Sequence, residues 1–212
     1  MCDRSEDAVN TIVRPTGFRT ESSPAYFRAA MRRLAGGVCV ITAGAGNDIS
    51  GMTVTSVSSL SVDPPSLIVS VNRASSSWPL LRRHRTFGVN VLGADQVDVA
   101  ERFTGKGGLK GAERFAGAEW IERASGARLL VGALAAIECE AEDIIERHSH
   151  AIIIGRVLHV ELSPDHAALA YWHGDYVAID RDEDMARLAD VSLPAGHIRD
   201  AGAASRFTRR EG

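Results

Sequence analysis

A short segment around residue 55 carries five side-chain hydroxyls within seven residues, at Thr53, Thr55, Ser56, Ser58 and Ser59. Apolar residues alternate with them at first, which indicates a β-strand, but the period of two is interrupted at Thr55 and Ser56. A slip of this kind predicts a β-bulge, which would turn backbone donors and short hydroxyls toward one point. The alternative is an edge strand whose Thr and Ser side chains face water.

A second group of hydroxyls follows the next predicted strand, which runs from Leu67 to Asn72. Ser75, Ser76 and Ser77 come directly after Arg73, and Trp78-Pro79 then opens a short helix. Four basic residues, Arg82, Arg83, His84 and Arg85, lie close behind. Hydroxyl groups and guanidinium groups beside a helix start are suited to a ligand that carries a phosphate.

Several segments in unbroken order then identify a family resemblance. They are Phe27 to Thr42, Gly51-Met52-Thr53, Asp63 to Leu67 and Phe87 to Leu92. Over about residues 24 to 180, the chain resembles the flavin reductase-like family, whose members include the small reductase components of two-component flavin monooxygenases.

The resemblance implies a mainly-β fold with short helices, an FMN-binding split barrel built as an antiparallel Greek-key barrel. It also implies a homodimer that reduces FMN or FAD with NADH or NADPH and supplies reduced flavin to a separate oxygenase. Flavin carries the redox chemistry itself, which agrees with the absence of a recognisable catalytic triad or acid/base pair in the sequence.

The resemblance also implies which residues bind the flavin. Thr53, Val54, Thr55 and Ser56 would contact the isoalloxazine edge and the ribityl chain. Asn72, Ser75, Ser76 and Ser77 would lie along the ribityl and phosphate end, with Arg82 or Arg83 as additional positive charge. Gly37 and Val38 match the start of the family's first strand, beside the ring.

One local departure concerns a histidine. The family usually carries Gly-Asp-His before the strand that aligns with Ala151 to Val160, whereas this chain has His148-Ser149-His150. We therefore predict His150 as a catalytic-site residue that contacts the coenzyme. The alternative is that His148-Ser149-His150 is only a solvated turn. A His-x-His pair on a strand can bind metal, but no third ligand is identifiable and we expect no metal.

Composition limits the other functions. The chain has 24 Lys and Arg against 27 Asp and Glu, a net charge of -3, which argues against nucleic-acid or anionic-membrane binding. Its three cysteines, Cys2, Cys39 and Cys139, are widely spaced and show no metal-binding pattern, so a reducing cytoplasm is expected. No apolar run approaches the ~20 residues that span a bilayer.

The pattern of elements predicts one domain, residues 23–180, between a flexible N-terminal arm of residues 1–22 and a C-terminal tail of residues 181–212. Ser23-Pro24 starts a helix that is predicted to end at Gly36-Gly37. The glycine-dense segment from Thr104 to Gly111 is read as a connection over the ligand, since it lacks the spacing of a phosphate loop. The alternation of apolar or small residues with glutamates predicts a half-exposed antiparallel strand; these residues are Ile137, Cys139 and Ala141, and Glu138, Glu140 and Glu142.

Two other functions stay open on the residues alone. The chain could be a non-enzymatic flavin-binding redox sensor or electron-transfer module on the same barrel, because a fold does not fix a function. It could also oxidise a phosphorylated vitamer, which would produce hydrogen peroxide without NADH.

Overall fold

The computed structural model of the chain describes residues 22–164 and 167–180. The predicted tail and, apart from residue 22, the predicted arm lie outside the described residues. The helices are α1 (Pro24–Met31), α2 (Trp78–His84) and α3 (Val97–Phe103), with 3-10 turns at Lys106–Gly108 and Gly111–Phe115. The strands are β1 (Gly36–Gly37), β2 (Cys39–Ala45), β3 (Asp48–Val54), β4 (Val57–Val62), β5 (Pro65–Asn72), β6 (Thr86–Val91), β7 (Trp120–Glu122), β8 (Arg128–Leu130), β9 (Ala135–Arg147), β10 (His150–Leu162), β11 (Ala168–Trp172) and β12 (Asp175–Ile179).

Seven antiparallel strands form the main sheet in the order β3-β2-β6-β9-β10-β5-β4. β3 and β4 lie at opposite edges of this sheet, yet only Thr55 and Ser56 connect them. Because a two-residue connection reaches about 11 Å between the flanking Cα atoms, the two edges must come close together and the sheet must curl. The result is an antiparallel barrel left open between β3 and β4, which confirms the predicted mainly-β fold.

The interruption at Thr55 and Ser56 therefore has a different cause from the predicted bulge. Between these residues the chain leaves β2 as its partner and pairs with β5 instead. Periodicity slips because one strand ends and another begins, and not because a residue is inserted into a continuous pair. The register shifts of the sheet lie elsewhere, between Ser59 and Ser61 and at two points in the β9–β10 pair.

The core has two halves, one on each face of β2. Cys39 and Ile41 pack inside the barrel with Val69, Phe87 and Ile153, where α2 closes the interior with Trp78 and Leu81. Val38 and Val40 point to the opposite face, against Phe103, Phe115 and Leu129. A strand buried on both faces is expected to be largely apolar. β2 is so apart from Thr42, whose Oγ1 donates to the carbonyl of Arg128 at 2.6 Å.

Helix α1 is shorter than predicted because tertiary contacts take over its last turn. Ser23 caps it as predicted, with its Oγ accepting from the amide of Tyr26 at 3.3 Å. The carbonyl of Arg32, however, accepts from the amide of His173, and that of Arg33 accepts from Trp172 Nε1. These bonds fasten the end of α1 to the β11–β12 turn, so the helix ends at Met31 rather than at the glycine pair.

Glu138 is buried, contrary to the half-exposed strand that its alternation predicts. Alternation itself holds, because Cys139 and Ala141 face the barrel interior. The opposite face is covered at this point by the turn of the β7–β8 hairpin, which was not predicted. Ser125 of that turn donates to Glu138 Oε1 at 2.5 Å, and Arg123 Nε lies 3.5 Å from Oε2.

Candidate functional site

A cleft of about 710 Å³, called the larger cleft below, opens where the end of β3, the end of β5 and the start of β10 meet. Eight of the eleven residues predicted for the site line it. They are Thr53, Val54, Thr55, Ser56, Asn72, Ser75, Ser76 and His150. The sheet order explains this convergence, since β5 pairs with β10 and the β3–β4 connection crosses the open edge beside them.

The hydroxyls at the β3–β4 connection are divided between structural and free groups. Thr53 Oγ1 donates to the carbonyl of Ala100 at 2.5 Å, and Ser56 Oγ donates to the carbonyl of Ser70 at 2.8 Å. Both bonds hold the connection in place and leave these oxygens able to accept. Thr55 has no side-chain hydrogen bond to any other described residue. Its side chain packs closely on Gly36, since a Cβ added to Gly36 would come within 2.9 Å of the Thr55 Cβ.

The loop from Asn72 to Ser77 is held by its own polar groups. Asn72 Oδ1 accepts from the amide of Ala74 at 2.9 Å. Ser50 Oγ lies 3.0 Å from Ser76 Oγ and accepts from Ser77 Oγ at 3.1 Å. Ser77 is completely buried and does not line the cleft, so it acts through Ser50 to position Ser76.

Ser75 presents a buried hydroxyl that the described residues leave unsatisfied. Its Oγ is buried and has no hydrogen-bond partner within the part of the chain that the structure describes. A buried hydroxyl left unpaired costs about 1–3 kcal/mol, and native structures rarely retain one without a reason. Because Ser75 lines the larger cleft, a polar group of a bound ligand can satisfy this hydroxyl.

Two cations that the sequence reading did not select also line the larger cleft, Lys110 and Arg114. Arg114 is half-buried and is fixed by bonds from Nε to the carbonyl of Leu109 at 3.0 Å and from one terminal nitrogen to the carbonyl of Gly51 at 2.6 Å. No Asp or Glu is among the residues that line this cleft. Because of these two cations, the larger cleft is a positively charged site lined by hydroxyls.

Arg82 and Arg83, predicted as additional charge for the phosphate, lie elsewhere. The Arg82 guanidinium is 5.7 Å from the centre of the Trp78 ring, and Arg83 pairs with Asp48. Both arginines line a separate surface depression near the start of α2. The positive charge of the larger cleft comes instead from the segment that follows α3.

His150 is the first residue of β10 and lies opposite Asn72 of β5. Its Nδ1 is 2.8 Å from Ser149 Oγ, which leaves Nε2 without a partner among the described side chains. The preceding turn is held by Arg73, whose side chain donates to the carbonyl of His148 at 2.9 Å and pairs with Glu146 at 2.5 Å. Arg73 therefore supports the turn that presents His150.

A second cleft of about 400 Å³, called the smaller cleft below, adjoins the larger one. Thr53, Val54, Thr55 and Thr104 line both clefts. Val38 lines the smaller cleft, and the neighbouring Gly37, in β1, is exposed without being part of either lining. The three predicted residues outside the larger cleft are thus Gly37, Val38 and Ser77.

The cysteine thiols and the possible metal ligands in the described ranges do not form a nucleophilic site or a metal site. Burial raises the pKa of Cys39 to about 12 and, with the charge of Glu138, raises the pKa of Cys139 to about 12. Both thiols stay protonated at neutral pH and are poor nucleophiles. Residues 22–164 and 167–180 contain no group of three His, Cys, Asp or Glu side chains placed to hold a metal ion, and no helix there is long and apolar enough to cross a membrane.

Comparison with known proteins gives a consistent result. The family model described as "Flavin reductase like domain" matches residues 31–180. The chain is 33% identical over 159 residues to a flavin reductase of Pseudomonas putida, covering 74% of this chain and 91% of that protein. It is 38% identical over 154 residues to the reductase component of an FADH(2)-dependent resorcinol hydroxylase of a Rhizobium species, covering 72% and 85%.

Solved structures agree with these relatives. BorF, the flavin reductase component of a bacterial two-component tryptophan halogenase, superimposes with a TM-score of 0.69 at 32% identity, covering 74% of this chain and 99% of that one. The matched family region contains every residue of the two clefts. The chain therefore belongs to the flavin reductase-like domain family.

Proposed function

We propose that this protein is an NAD(P)H:flavin oxidoreductase that reduces FMN or FAD and supplies the reduced flavin to a separate monooxygenase. The observation that carries the proposal is the larger cleft, in which an unpaired buried Ser75 hydroxyl lies in the same lining as Lys110 and Arg114. Relatives at 30% identity or more include reductase components of monooxygenases, such as the resorcinol hydroxylase component of a Rhizobium species.

The donor set of the larger cleft suits a flavin mononucleotide. Arg114 and Lys110 supply positive charge for a phosphate, and Ser75 and Ser76 supply hydroxyls beside it. Val54 and Phe103 contribute apolar surface near the β3–β4 connection, where a flat ring needs it. A volume of about 710 Å³ is within the usual range of roughly 300–1,000 Å³ for small-molecule sites.

A bound flavin supplies the redox chemistry, so the residues of this chain need only to bind it, orient it and admit the coenzyme. The bond from Ser56 Oγ to the carbonyl of Ser70 fixes the connection against β5, which sets the position of Thr55 and Ser56 along the ring. His150 stands at the mouth of the larger cleft with Nε2 free, where it can donate a hydrogen bond to the coenzyme.

Steady-state turnover is the decisive experiment. Purified protein with excess free FMN should oxidise NADH or NADPH continuously, and the reduced flavin should be trapped in solution by an added flavin-dependent oxygenase. A redox sensor would be reduced once per bound flavin and then stop. An oxidase of phosphorylated vitamers would form hydrogen peroxide with no coenzyme present.

A charge substitution links that activity to the larger cleft. Ser76→Asp places a carboxylate beside the proposed phosphate position and should weaken FMN binding, measured by the quenching of FMN fluorescence. Ser59→Asp is the matched control, because Ser59 is an exposed serine on β4 that lines neither cleft. Equal FMN affinity in Ser76→Asp and in the unmodified protein would remove the loop from the site.

A further inference from the structure

The smaller cleft has a chemical character of its own. Besides the residues that it shares with the larger cleft, its lining combines two aromatic rings with both signs of charge. These residues are Tyr171, Tyr176, Glu101, Asp175 and Lys106. They come from α3, from the first 3-10 turn and from the β11–β12 hairpin, so three separate parts of the chain converge here.

The two tyrosines form a fixed aromatic wall. Their rings are paired across β11 and β12 with centroids 5.4 Å apart and planes at 68°. Tyr171 is 38% exposed, so part of a ring face remains available to a ligand. Rigid tyrosine rings provide stacking surface for a flat heterocycle at low cost in conformational entropy.

Glu101 faces this wall from α3. Burial raises the pKa of Tyr176, and the nearby Glu101 carboxylate raises it further, which agrees with Glu101 and Tyr176 lining the same cleft. Within residues 22–164 and 167–180, neither Glu101 nor Asp175 forms a side-chain hydrogen bond or ion pair, and the ammonium group of Lys106 is also unpaired there. The smaller cleft therefore offers unused acceptors next to an aromatic surface.

The two clefts differ in the charge of the residues that line them, and they therefore favour different parts of a ligand. The larger cleft has Lys110, Arg114 and His150 and no carboxylate, so a phosphate is stable there. The smaller cleft has two carboxylates and one ammonium group, so a phosphate is disfavoured next to Glu101 and Asp175, whereas sugar hydroxyls can donate to these carboxylates. In dinucleotide-binding folds, a carboxylate binds a free ribose 2′-hydroxyl, and an arginine takes its place where a 2′-phosphate is accepted.

We propose that the smaller cleft binds an adenosine group whose ribose has a free 2′-hydroxyl, with Glu101 accepting from that hydroxyl and rejecting a 2′-phosphate. The adenine ring stacks on the Tyr171 side of the aromatic wall. The amide of Lys106 donates to Oγ1 of the shared Thr104 at 3.2 Å. The Lys106 ammonium group binds the diphosphate that joins the adenosine to the group in the larger cleft. Glu101 is thus a specificity-determining residue for the site.

The adenosine has two sources under the proposed function, on which this identification of the ligand rests. FAD would place its flavin half in the larger cleft and its adenosine in the smaller one. NADH would bring its own adenosine when FMN fills the larger cleft. Both ligands carry the same unmodified ribose, whereas NADPH carries the 2′-phosphate.

A binding measurement that needs no turnover tests the site itself. Protein saturated with FMN is titrated with 5′-AMP and with adenosine 2′,5′-bisphosphate by calorimetry. We expect 5′-AMP to bind ~10-fold more tightly, which corresponds to about 1.4 kcal/mol, and Glu101→Gln to reduce this preference to about 2-fold or less. The control is Asp98→Asn, which removes the same charge from an exposed position of α3 outside both clefts and should preserve the preference.

Failure to bind 5′-AMP, or a preference that is equal in the unmodified protein and in Glu101→Gln, would overturn the proposal whether or not the protein reduces flavin. The source is then identified by two further comparisons. If NADH is the source, Glu101→Gln should narrow the ratio of kcat/KM for NADH over NADPH by ~5-fold with FMN as the flavin. If FAD is the source, the same variant should lower FAD affinity relative to FMN affinity and leave the KM for NADH unchanged.

Lys106 provides an independent check of the assigned roles. If NADH is the source, Lys106→Gln should weaken the use of NADH and NADPH by similar factors, because the diphosphate is common to both. If FAD is the source, Lys106→Gln should lower FAD affinity relative to FMN affinity. A selective loss of NADPH use in Lys106→Gln would mean that the ammonium group binds the 2′-phosphate, and it would overturn the role given to Glu101.

Discussion

Two serines in the loop after β5 differ in whether the protein itself supplies a hydrogen-bond partner for the side-chain hydroxyl. Ser77 is buried and donates to Ser50, whereas Ser75 presents a buried hydroxyl without a partner in the described chain. Both are serines of one predicted hydroxyl cluster, and the sequence assigns them the same role. Only the packing of α2 against the barrel distinguishes a structural hydroxyl from a ligand-binding one.

The first prediction uses this contrast. Ser75→Ala removes a hydroxyl that costs free energy in the ligand-free protein, so its free energy of unfolding should be unchanged or higher, while FMN affinity should fall ~5- to 10-fold. Ser77→Ala instead leaves a buried network incomplete and should lower the free energy of unfolding by about 1 kcal/mol. Urea unfolding without flavin and fluorescence titration with FMN measure the two effects separately. Destabilisation of the flavin-free protein by Ser75→Ala would show that the hydroxyl is already paired.

The second prediction concerns His150, whose Nε2 has no protein partner among the described residues. If His150 contacts the coenzyme equally in the ground and transition states, His150→Ala should raise the KM for NADH and leave kcat and FMN affinity near normal. A lower kcat would instead place the ring in the hydride-transfer geometry. Steady-state kinetics at saturating FMN measure both constants.

His159→Ala is the matched control for this experiment. His159 lies on the same strand, but it lines neither cleft, and its Nε2 is 3.2 Å from Glu161. A kinetic change of equal size in both variants would mean that β10 as a whole, and not the ring of His150, determines coenzyme use. His148 is unsuitable as a control because its φ is positive, so that a substitution there also changes the stability of the turn.

At the scale of elements, the turn between β9 and β10 contains a residue in an unfavourable conformation. His148 has φ of +50°, in the left-handed region that glycine adopts at little cost. The resemblance to the family aligns a glycine with this position, so the chain keeps the turn geometry while it replaces the residue that suits it best. The carbonyl of His148 is held by Arg73, which helps to maintain this conformation.

The third prediction follows from that geometry. His148→Gly should raise the free energy of unfolding by about 0.5–1 kcal/mol, because relief of the left-handed conformation exceeds the added entropy of glycine in the unfolded chain. Asn47→Gly, in the β2–β3 turn at a φ that is not positive, should lower it by a comparable amount. Urea unfolding measures both. Destabilisation by His148→Gly would indicate that the imidazole makes a contact which outweighs the strain.

Elements with strong periodicity could be predicted from the sequence, and those set by distant contacts could not. The N-terminal cap of α1 follows from Ser23-Pro24. The turn residues Gly44 to Asp48 and His173-Gly174-Asp175 predict the β2–β3 and β11–β12 hairpins. The exchange of partners at Thr55 looks like a bulge in sequence, because periodicity does not reveal which strand lies alongside. The three-residue strands β7 and β8 are too short to give a periodic signal.

The same reasoning explains what was missed in the site. Lys110 lies within the glycine-dense segment from Thr104 to Gly111, and Arg114 follows it. This segment was predicted to cross over the ligand, but without phosphate-loop spacing nothing local marks either cation as a ligand-binding residue. Arg114 reaches the larger cleft because it bonds to the carbonyl of Gly51, 63 residues earlier. Arg82 and Arg83 are closer to the serine cluster in sequence, but α2 carries them to another surface.

On the scale of the whole molecule, the C-terminal half of β10 leaves apolar side chains uncovered. Leu158, Val160 and Leu162 are 41%, 46% and 77% exposed, and Leu60 of β4 is 52% exposed. A register shift at Val157 and His159 reverses the alternation, so that His159 pairs with Glu138 and Val160 pairs with Ile137. Val160 and Leu162 therefore share the face of β10 opposite Glu138. Apolar residues gathered on one sheet face indicate a protein interface, and a second copy of the chain is the partner that the family resemblance implies.

The last prediction is that the protein is a homodimer that uses this face. Light scattering at micromolar concentration should give a mass of about twice 22.7 kDa. Val160→Lys should shift the mass toward that of the monomer, because a lysine buried in an apolar interface leaves an unpaired charge. Val131→Lys is the control, since Val131 is also a valine, is 42% exposed and lies outside β4 and β10. A monomeric mass for the unmodified protein with full reductase activity would contradict the dimer, and loss of dimer in both variants would mean that the interface extends beyond this face.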